Sequence, residues 1–345
     1  MCTSWKIVYR SFRELCKHGI ILATLLSLSS VTTQAVLIRI QTLTLNNRRI
    51  ILFSELHLEY PSDDKAQLEA FEQLILAREK ADSHLTILVE QPLWQTMFPQ
   101  LWDYRKVSTK IVDRFKDCPL RATSLINIEV RFISYIANDL LESDNPNDFH
   151  HKMVCTYGNK SCALKDIKFQ HIFEEFDDLQ ERVEQARQEI TPIWQKEVVS
   201  KAIDEARLYR KDLEETIKRY KIHLGFKVLA IARYIHMSTQ YPDKTVVKEA
   251  LEEKRALSGA ILATFARLLD AHIMATAFKV SEGDVAIVAG RGHTDRIKSL
   301  LIMHMQPTTS IGYTSDYPPH LTAAQIKDTI SPSQWPSFIR LFCCC

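Results

Sequence analysis

The chain has 345 residues and a mass of 39.9 kDa, with 46% hydrophobic and 25% charged residues, 8 Gly and 12 Pro. These are globular proportions, and they exclude disorder, a collagen repeat, a coiled coil and a multi-span membrane protein. With 44 Lys+Arg against 42 Asp+Glu, the formal charge of +2 gives no electrostatic ground for nucleic acid as a partner.

Residues 1–18 carry Lys6, Arg10, Arg13 and Lys17 against one acid, Glu14, and Gly19 to Ile38 is uncharged. A basic front, an apolar stretch and small residues at Thr33 and Ala35 predict an exported chain, periplasmic or secreted, with a signal peptide cut after Ala35. An uncleaved membrane anchor is the competing reading of the same 20 uncharged residues. Loss of residues 1–35 removes 4 basic and 1 acidic residue from 44 and 42, leaving 40 against 41.

Residues 37–44 (LIRIQTLT) alternate and are rich in β-formers, Asn46-Asn47 offers a turn, and IILF at 50–53 is a short apolar run. The pattern predicts a hairpin whose second strand is buried. An amphipathic helix is expected over 63–82, with Leu68, Phe71, Leu74 and Ile75 on one stripe, followed by a buried strand, LTILVE, at 85–90. A short helix over 93–104 and a third β-rich run, INIEVRFI at 126–133, come next, leading into a helical patch that ends near Glu142.

The polar stretch SDNPNDFHH, with His150-His151, reads as a solvated loop. In CTYGNKSC, Gly158-Asn159 suits a tight turn, and Cys155 and Cys162 either close a disulfide or stay free thiols, according to the compartment. From Leu164 to Lys279 the chain is helix-permissive, with breaks near Thr191-Pro192, Gly225 and Tyr241-Pro242, and reads as a helical bundle or cap. A last apolar strand, DVAIVAG at 284–290, precedes a helix from Thr294 to about Met303, and SIGY after Pro307 is one further strand candidate. The terminal Cys343-Cys344-Cys345 resembles a lipidation substrate, so membrane association is expected through either end of the chain.

The expected fold class is α/β: a mostly parallel central sheet with an initial β-hairpin and a large helical insertion before the last strand. The divisions are 1–35 as leader, 36–150 as the first part of the α/β domain, 151–279 as insertion, 280–320 as its closing strand and helix, and 321–345 as tail.

Glu55 and His57 follow IILF, Glu90 closes LTILVE, and His293 follows DVAIVAG. Ligands bind at the rim formed by the carboxyl ends of parallel strands, so these four form the expected catalytic set. Two chemistries fit it. His57, Glu90 and His293 could ligate a divalent metal and activate its water, or His57 could act as a general base oriented by a carboxylate, without metal. Arg131 is a candidate for gripping a carboxylate or phosphate, and Asp270 for orienting His293 from behind. Taken singly each residue has a plainer role: Glu90 as a cap, His293 as a first-turn surface residue, Glu129 and Arg131 as an exposed strand face, Asp270 as a solvated acid. Trp94, Trp102 and Trp194 read as core.

RRIILFSELHLE, HLTILVEQP and VAIVAGRGHTDRIKSLL together resemble the superfamily of ChaN-like haem-uptake proteins, Tiki/TraB proteins and erythromycin esterases. Glu55 with His57, Glu90, and Gly290 with His293 match its three motifs, while Ser54 stands where the family carries Gly. LLDAHIMATAFK, with Asp270, looks like the helix before the last motif. The resemblance covers about 48–92 and 265–303. It implies a hydrolase acting on esters or amides of a small molecule or peptide, metal-assisted or metal-free. The alternatives are a haem-binding protein without turnover and a secreted effector-type interaction protein.

Overall fold

In the computed structural model, the described residues are 34–45, 48–58, 64–90, most of 111–137, 154–157, 160–163, 169–221, 244–304 and 310–314. The leader, the helix expected over 93–104, the loop at 143–151 and the terminal cysteines lie outside them. The elements in chain order are β1 (Gln34–Leu45), β2 (Arg48–Leu58), α1 (Asp64–Ala81), β3 (Leu85–Val89), β4 (Thr123–Asn127), β5 (Val154–Tyr157), β6 (Lys160–Ala163), α2 (Phe169–Glu189), α3 (Ile193–Lys221), α4 (Lys244–Lys279), β7 (Asp284–Gly290), α5 (Arg291–His304) and β8 (Ser310–Thr314).

The protein has a mixed α/β fold around a six-stranded sheet of order β4-β3-β7-β2-β1-β8. The β1–β2 hairpin and the β1–β8 pair are antiparallel, whereas β2–β7, β3–β7 and β3–β4 are parallel. Strand β7, last of the parallel set in sequence, sits at the centre. Its run Val285–Ala289 is apolar at every position because helices cover both faces of the sheet.

Alternation along the strands sends side chains to opposite faces. Ile51 and Phe53 of β2, with Ile87 and Val89 of β3, face α1, where Phe71 packs on Phe53 with ring centroids 4.8 Å apart. Ile50, Leu52, Leu88, Val285 and Ile287 face the other way and join one continuous apolar cluster with α2, α3, α4 and α5. Each such buried Leu, Ile or Phe is worth about 1.5–3 kcal/mol. The three helices expected as a cap therefore share the sheet's own core: Phe176 of α2, Ile203 of α3 and Phe265 of α4 belong to the cluster that contains Leu88 and Ile287. Helix α4 is apolar and long enough over Glu252–Lys279 to cross a membrane by length and composition, and 67% of its most apolar window is buried against this core.

Two elements differ from the sequence expectation. The third strand is not 126–133 but Thr123–Asn127, paired in parallel with Leu85–Val89. The chain leaves the sheet after Ile128, whose amide still reaches Val89 O at 2.9 Å, because Glu129 and Arg131 turn toward each other instead of continuing the ladder. CTYGNKSC, read only as a tight turn, carries strands on its flanks: they form the hairpin β5–β6, with Cys155 directly opposite Cys162. The side chains of both cysteines lie outside the described residues.

At the opposite end of the sheet, Gly283 enters β7 with φ of 76°, where a Cβ would collide with the carbonyl of His84. Beside it Asp284 receives Arg49 Nη2 and Arg78 Nη2, the latter at 2.8 Å, and the Arg78 side chain is only 1% exposed.

Candidate functional site

The carboxyl ends of β2, β3, β4 and β7 form one rim, and the first turn of α5 rises from it. Ser54, Glu55, Glu90, Glu129, Arg131, Asp270, His293 and Thr294 are all buried there. Apolar strands end in charged residues at this height, and isolated burial of such groups is costly, so each needs a partner. Glu90, Glu129 and Arg131 partner one another, as do Asp270 with His293 and Ser54 with Thr294.

Glu90, one residue past β3, accepts the amide of Gly290 on Oε2 at 2.8 Å and the Arg131 guanidinium on Oε1 at 2.9 Å. Arg131 also donates to Glu129 through Nε at 2.9 Å and Nη2 at 2.6 Å. Glu129 and Arg131 are thus not an exposed strand face. Arg131 is the buried cation between two carboxylates, and its guanidinium is committed to them rather than offered to a ligand. The sequence signal was their spacing of two, which permits the pairing once the strand ends.

His293 stands in the first turn of α5, its side chain 10% exposed. Its Nδ1 lies 2.6 Å from Asp270 Oδ1 on α4, and the other oxygen of Asp270 accepts Arg296 Nε. Asp270 is consequently not a solvated acid but a buried one aimed at the imidazole. Arg296 Nη2 also lies 3.1 Å from the same Nδ1, so that ring nitrogen is held between a carboxyl oxygen and a guanidinium, and Nε2 is the nitrogen left outside this contact. That Nε2 points to the Glu90 side, 3.8 Å from Oε1, and makes no hydrogen bond among the described residues. Arg296 was not anticipated from the sequence. It lies one helical turn after His293, the spacing at which side chains on a helix meet.

Glu55 is buried on β2, and its backbone pairs with Gly290, placing it one strand from the Glu90 contact. Ser54 faces the other side of the strand and hydrogen-bonds Thr294 Oγ1 at 2.7 Å, tying β2 to the first turn of α5. His57 lies two residues further along β2, opposite Ala35 of β1, and its side chain is outside the described residues.

A metal centre built on His57, Glu90 and His293 is therefore described only through its last two members. Among the described residues, no three His, Cys, Asp or Glu side chains are placed to hold an ion. Both Glu90 oxygens are engaged by Arg131 and Gly290, and the neighbouring guanidinium opposes a second cation. The described donors do not fit a metal. They fit an imidazole base: an oriented ring, the Asp270 carboxyl behind it and one nitrogen facing the rim.

The chain matches no model of a protein family, no curated protein and no solved structure.

Proposed function

We propose that the rim is a hydrolytic site at which His293 is the general base, acting on an ester or amide carbonyl of a small molecule or peptide. One observation carries this reading: the Asp270–His293 pair, 2.6 Å apart, whose Nε2 is left facing Glu90. In that arrangement Nε2 takes a proton from water as the water oxygen bonds to the carbonyl carbon. Asp270 stabilises the imidazolium that results, and the imidazolium returns the proton to the leaving oxygen or nitrogen as the acyl bond breaks. Arg296 donates to the second oxygen of Asp270 and fixes its orientation. Glu90, clamped by Arg131 and the Gly290 amide, is a fixed negative wall that also favours the imidazolium, while the positive end of α5 at the same rim favours the developing oxyanion.

The resemblance to the ChaN/Tiki/erythromycin esterase superfamily supports the same reading, with the metal-free esterases its nearest analogue, and α2–α4 as a helical insertion in its α/β sheet. Export of the chain, and membrane association through its ends, belong to that proposal.

The test is hydrolysis of p-nitrophenyl acetate by the full chain. His293→Ala is expected to lower kcat/KM by about 10²–10⁴-fold, and Asp270→Asn by a comparable factor with the fold retained. Wild-type turnover that survives His293→Ala unchanged would overturn the proposal. The haem-binding alternative is separated by a haemin titration: a Soret band abolished by His293→Ala, without ester turnover, would replace hydrolysis with binding.

A further inference from the structure

A cavity of about 580 Å³ opens away from the rim, between the first halves of β3 and β4 and the last turns of α4. Its volume falls within the range of small-molecule sites, about 300–1,000 Å³. Thr86 on β3 and Ser124 and Ile126 on β4 face it from alternate positions of the sheet, and His272, Thr276 and Lys279 face it from one stripe of α4. The same layer of the sheet is closed by Leu88 two residues further along β3, where the fold buries an aliphatic chain. Thr86 is buried, His272 and Thr276 are half-buried and Ser124 is exposed; Thr276 Oγ1 donates to His272 O at 2.8 Å, whereas a buried nitrogen of His272 lacks such a partner, which is costly.

His272 is the key group. Its Nδ1 is buried and makes no hydrogen bond among the described residues. Burial pushes its pKa down to about 4, with Glu129 opposing and Arg182 adding to the effect, so the ring is neutral at physiological pH. The charges at the mouth face solvent, which screens them: Lys279 Nζ lies 2.6 Å from Glu189, and the exposed Glu282 lies 3.8 Å from the exposed His84. Nothing in the cavity calls for a charged ligand, while hydroxyls and a neutral imidazole call for hydrogen-bond donors and acceptors.

We infer that this cavity is a second binding site, separate from the Glu90–His293 rim, for an uncharged small molecule bearing hydroxyl or amide groups, with His272, Thr86 and Ser124 as its hydrogen-bonding partners.

The probe is N-acetylglucosamine, neutral and carrying both groups, with glucuronate and glucosamine as its anionic and cationic counterparts. Imidazole signals of the full chain are followed by NMR. The expected result is a saturable shift of the His272 signals by N-acetylglucosamine in the millimolar range. Ser124→Ala and, separately, Thr86→Val should each weaken binding by about tenfold, and both keep the fold independent of His272 itself. His293→Ala should leave the affinity unchanged, so the inference stands or falls apart from the hydrolytic reading. No saturable shift up to about 50 mM, well above the range in which such a contact is measurable, would overturn it. So would equal binding of either charged sugar, or binding indifferent to both Ser124→Ala and Thr86→Val.

Discussion

The two ends of the parallel strands are built from the same materials and differ in how completely they are paired. At the amino end, Asp284 sits between Arg49 and Arg78: one carboxylate takes two guanidinium groups, and the side chains are 7%, 14% and 1% exposed. At the carboxyl end, Glu55, Glu90, Glu129 and Asp270 meet Arg131 and Arg296, and an imidazole stands among them with one nitrogen turned to the rim. Buried ion pairs alone therefore do not mark a functional site. The amino end is a staple, in which one carboxylate is held between two guanidinium groups. The carboxyl end holds acids in excess of guanidinium groups together with a base that has an oriented back and an available front.

The largest effect that would sharpen this contrast is on stability. Asp284→Ala leaves Arg78 buried without its carboxylate and is expected to cost about 3–5 kcal/mol in denaturant unfolding. Asp270→Asn, which keeps its shape and a hydrogen bond to His293, should cost far less while removing ester turnover. Equal destabilisation by both would erase the distinction between staple and site.

The next effect is on pH dependence. Burial holds His272 neutral in the folded chain down to about pH 4, while the unfolded ring takes up its proton near its ordinary value of 6.5. Between those values the unfolded state binds more protons, so stability rises with pH across the window and is lost on acidification, by up to about 3 kcal/mol. His272→Phe should flatten the acid slope in urea-unfolding series between pH 6.5 and 4. Burial by itself would raise the carboxyl of Asp284, but the hydrogen bonds and charge of Arg49, with Arg78, outweigh it and hold it below the usual carboxylate range. Its contribution is present above that range and is lost only as pH falls through the lowered value, so the two residues act in successive windows. A slope unaltered by His272→Phe would remove the imidazole from this account.

The smallest effect is local. Thr294→Val deletes the partner of Ser54 Oγ and should cost about 1–3 kcal/mol, the desolvation penalty of a buried hydroxyl. Hydrogen exchange of the first turn of α5 reads the loosening, and protection equal to wild type would show that the hydrogen bond does not hold the turn.

The parts of the fold legible in the sequence were those whose signal is continuous and local. DVAIVAG is a buried central strand because nothing interrupts its apolar run, and its boundaries coincide with β7. The strand expected at 85–90 is β3, one residue shorter. Strand β4 was displaced for a physical reason: it is an edge strand, its Thr123, Ser124 and Asn127 resemble a turn, and the β-rich letters of EVR belong to a buried ion pair instead. In the site, Glu55, Glu90 and His293 announced themselves as charges closing apolar strands. Arg296 did not, since an arginine in a helix is usually solvated, and only the tertiary position of Asp270 gives it a partner. Arg49 and Arg78 were silent for the same reason.

Strand β1 extends past β8, which covers it only from Arg39 to Leu43, whereas Gln34 and Ala35 pair with Leu58 and His57 of β2. Proteolysis behind Ala35 would strip two rungs at the open end of the hairpin and leave the β1–β2 pairs from Leu37 onward in place. Among the described residues, the part of β2 that would feel such a cut is the segment carrying His57 and Leu58.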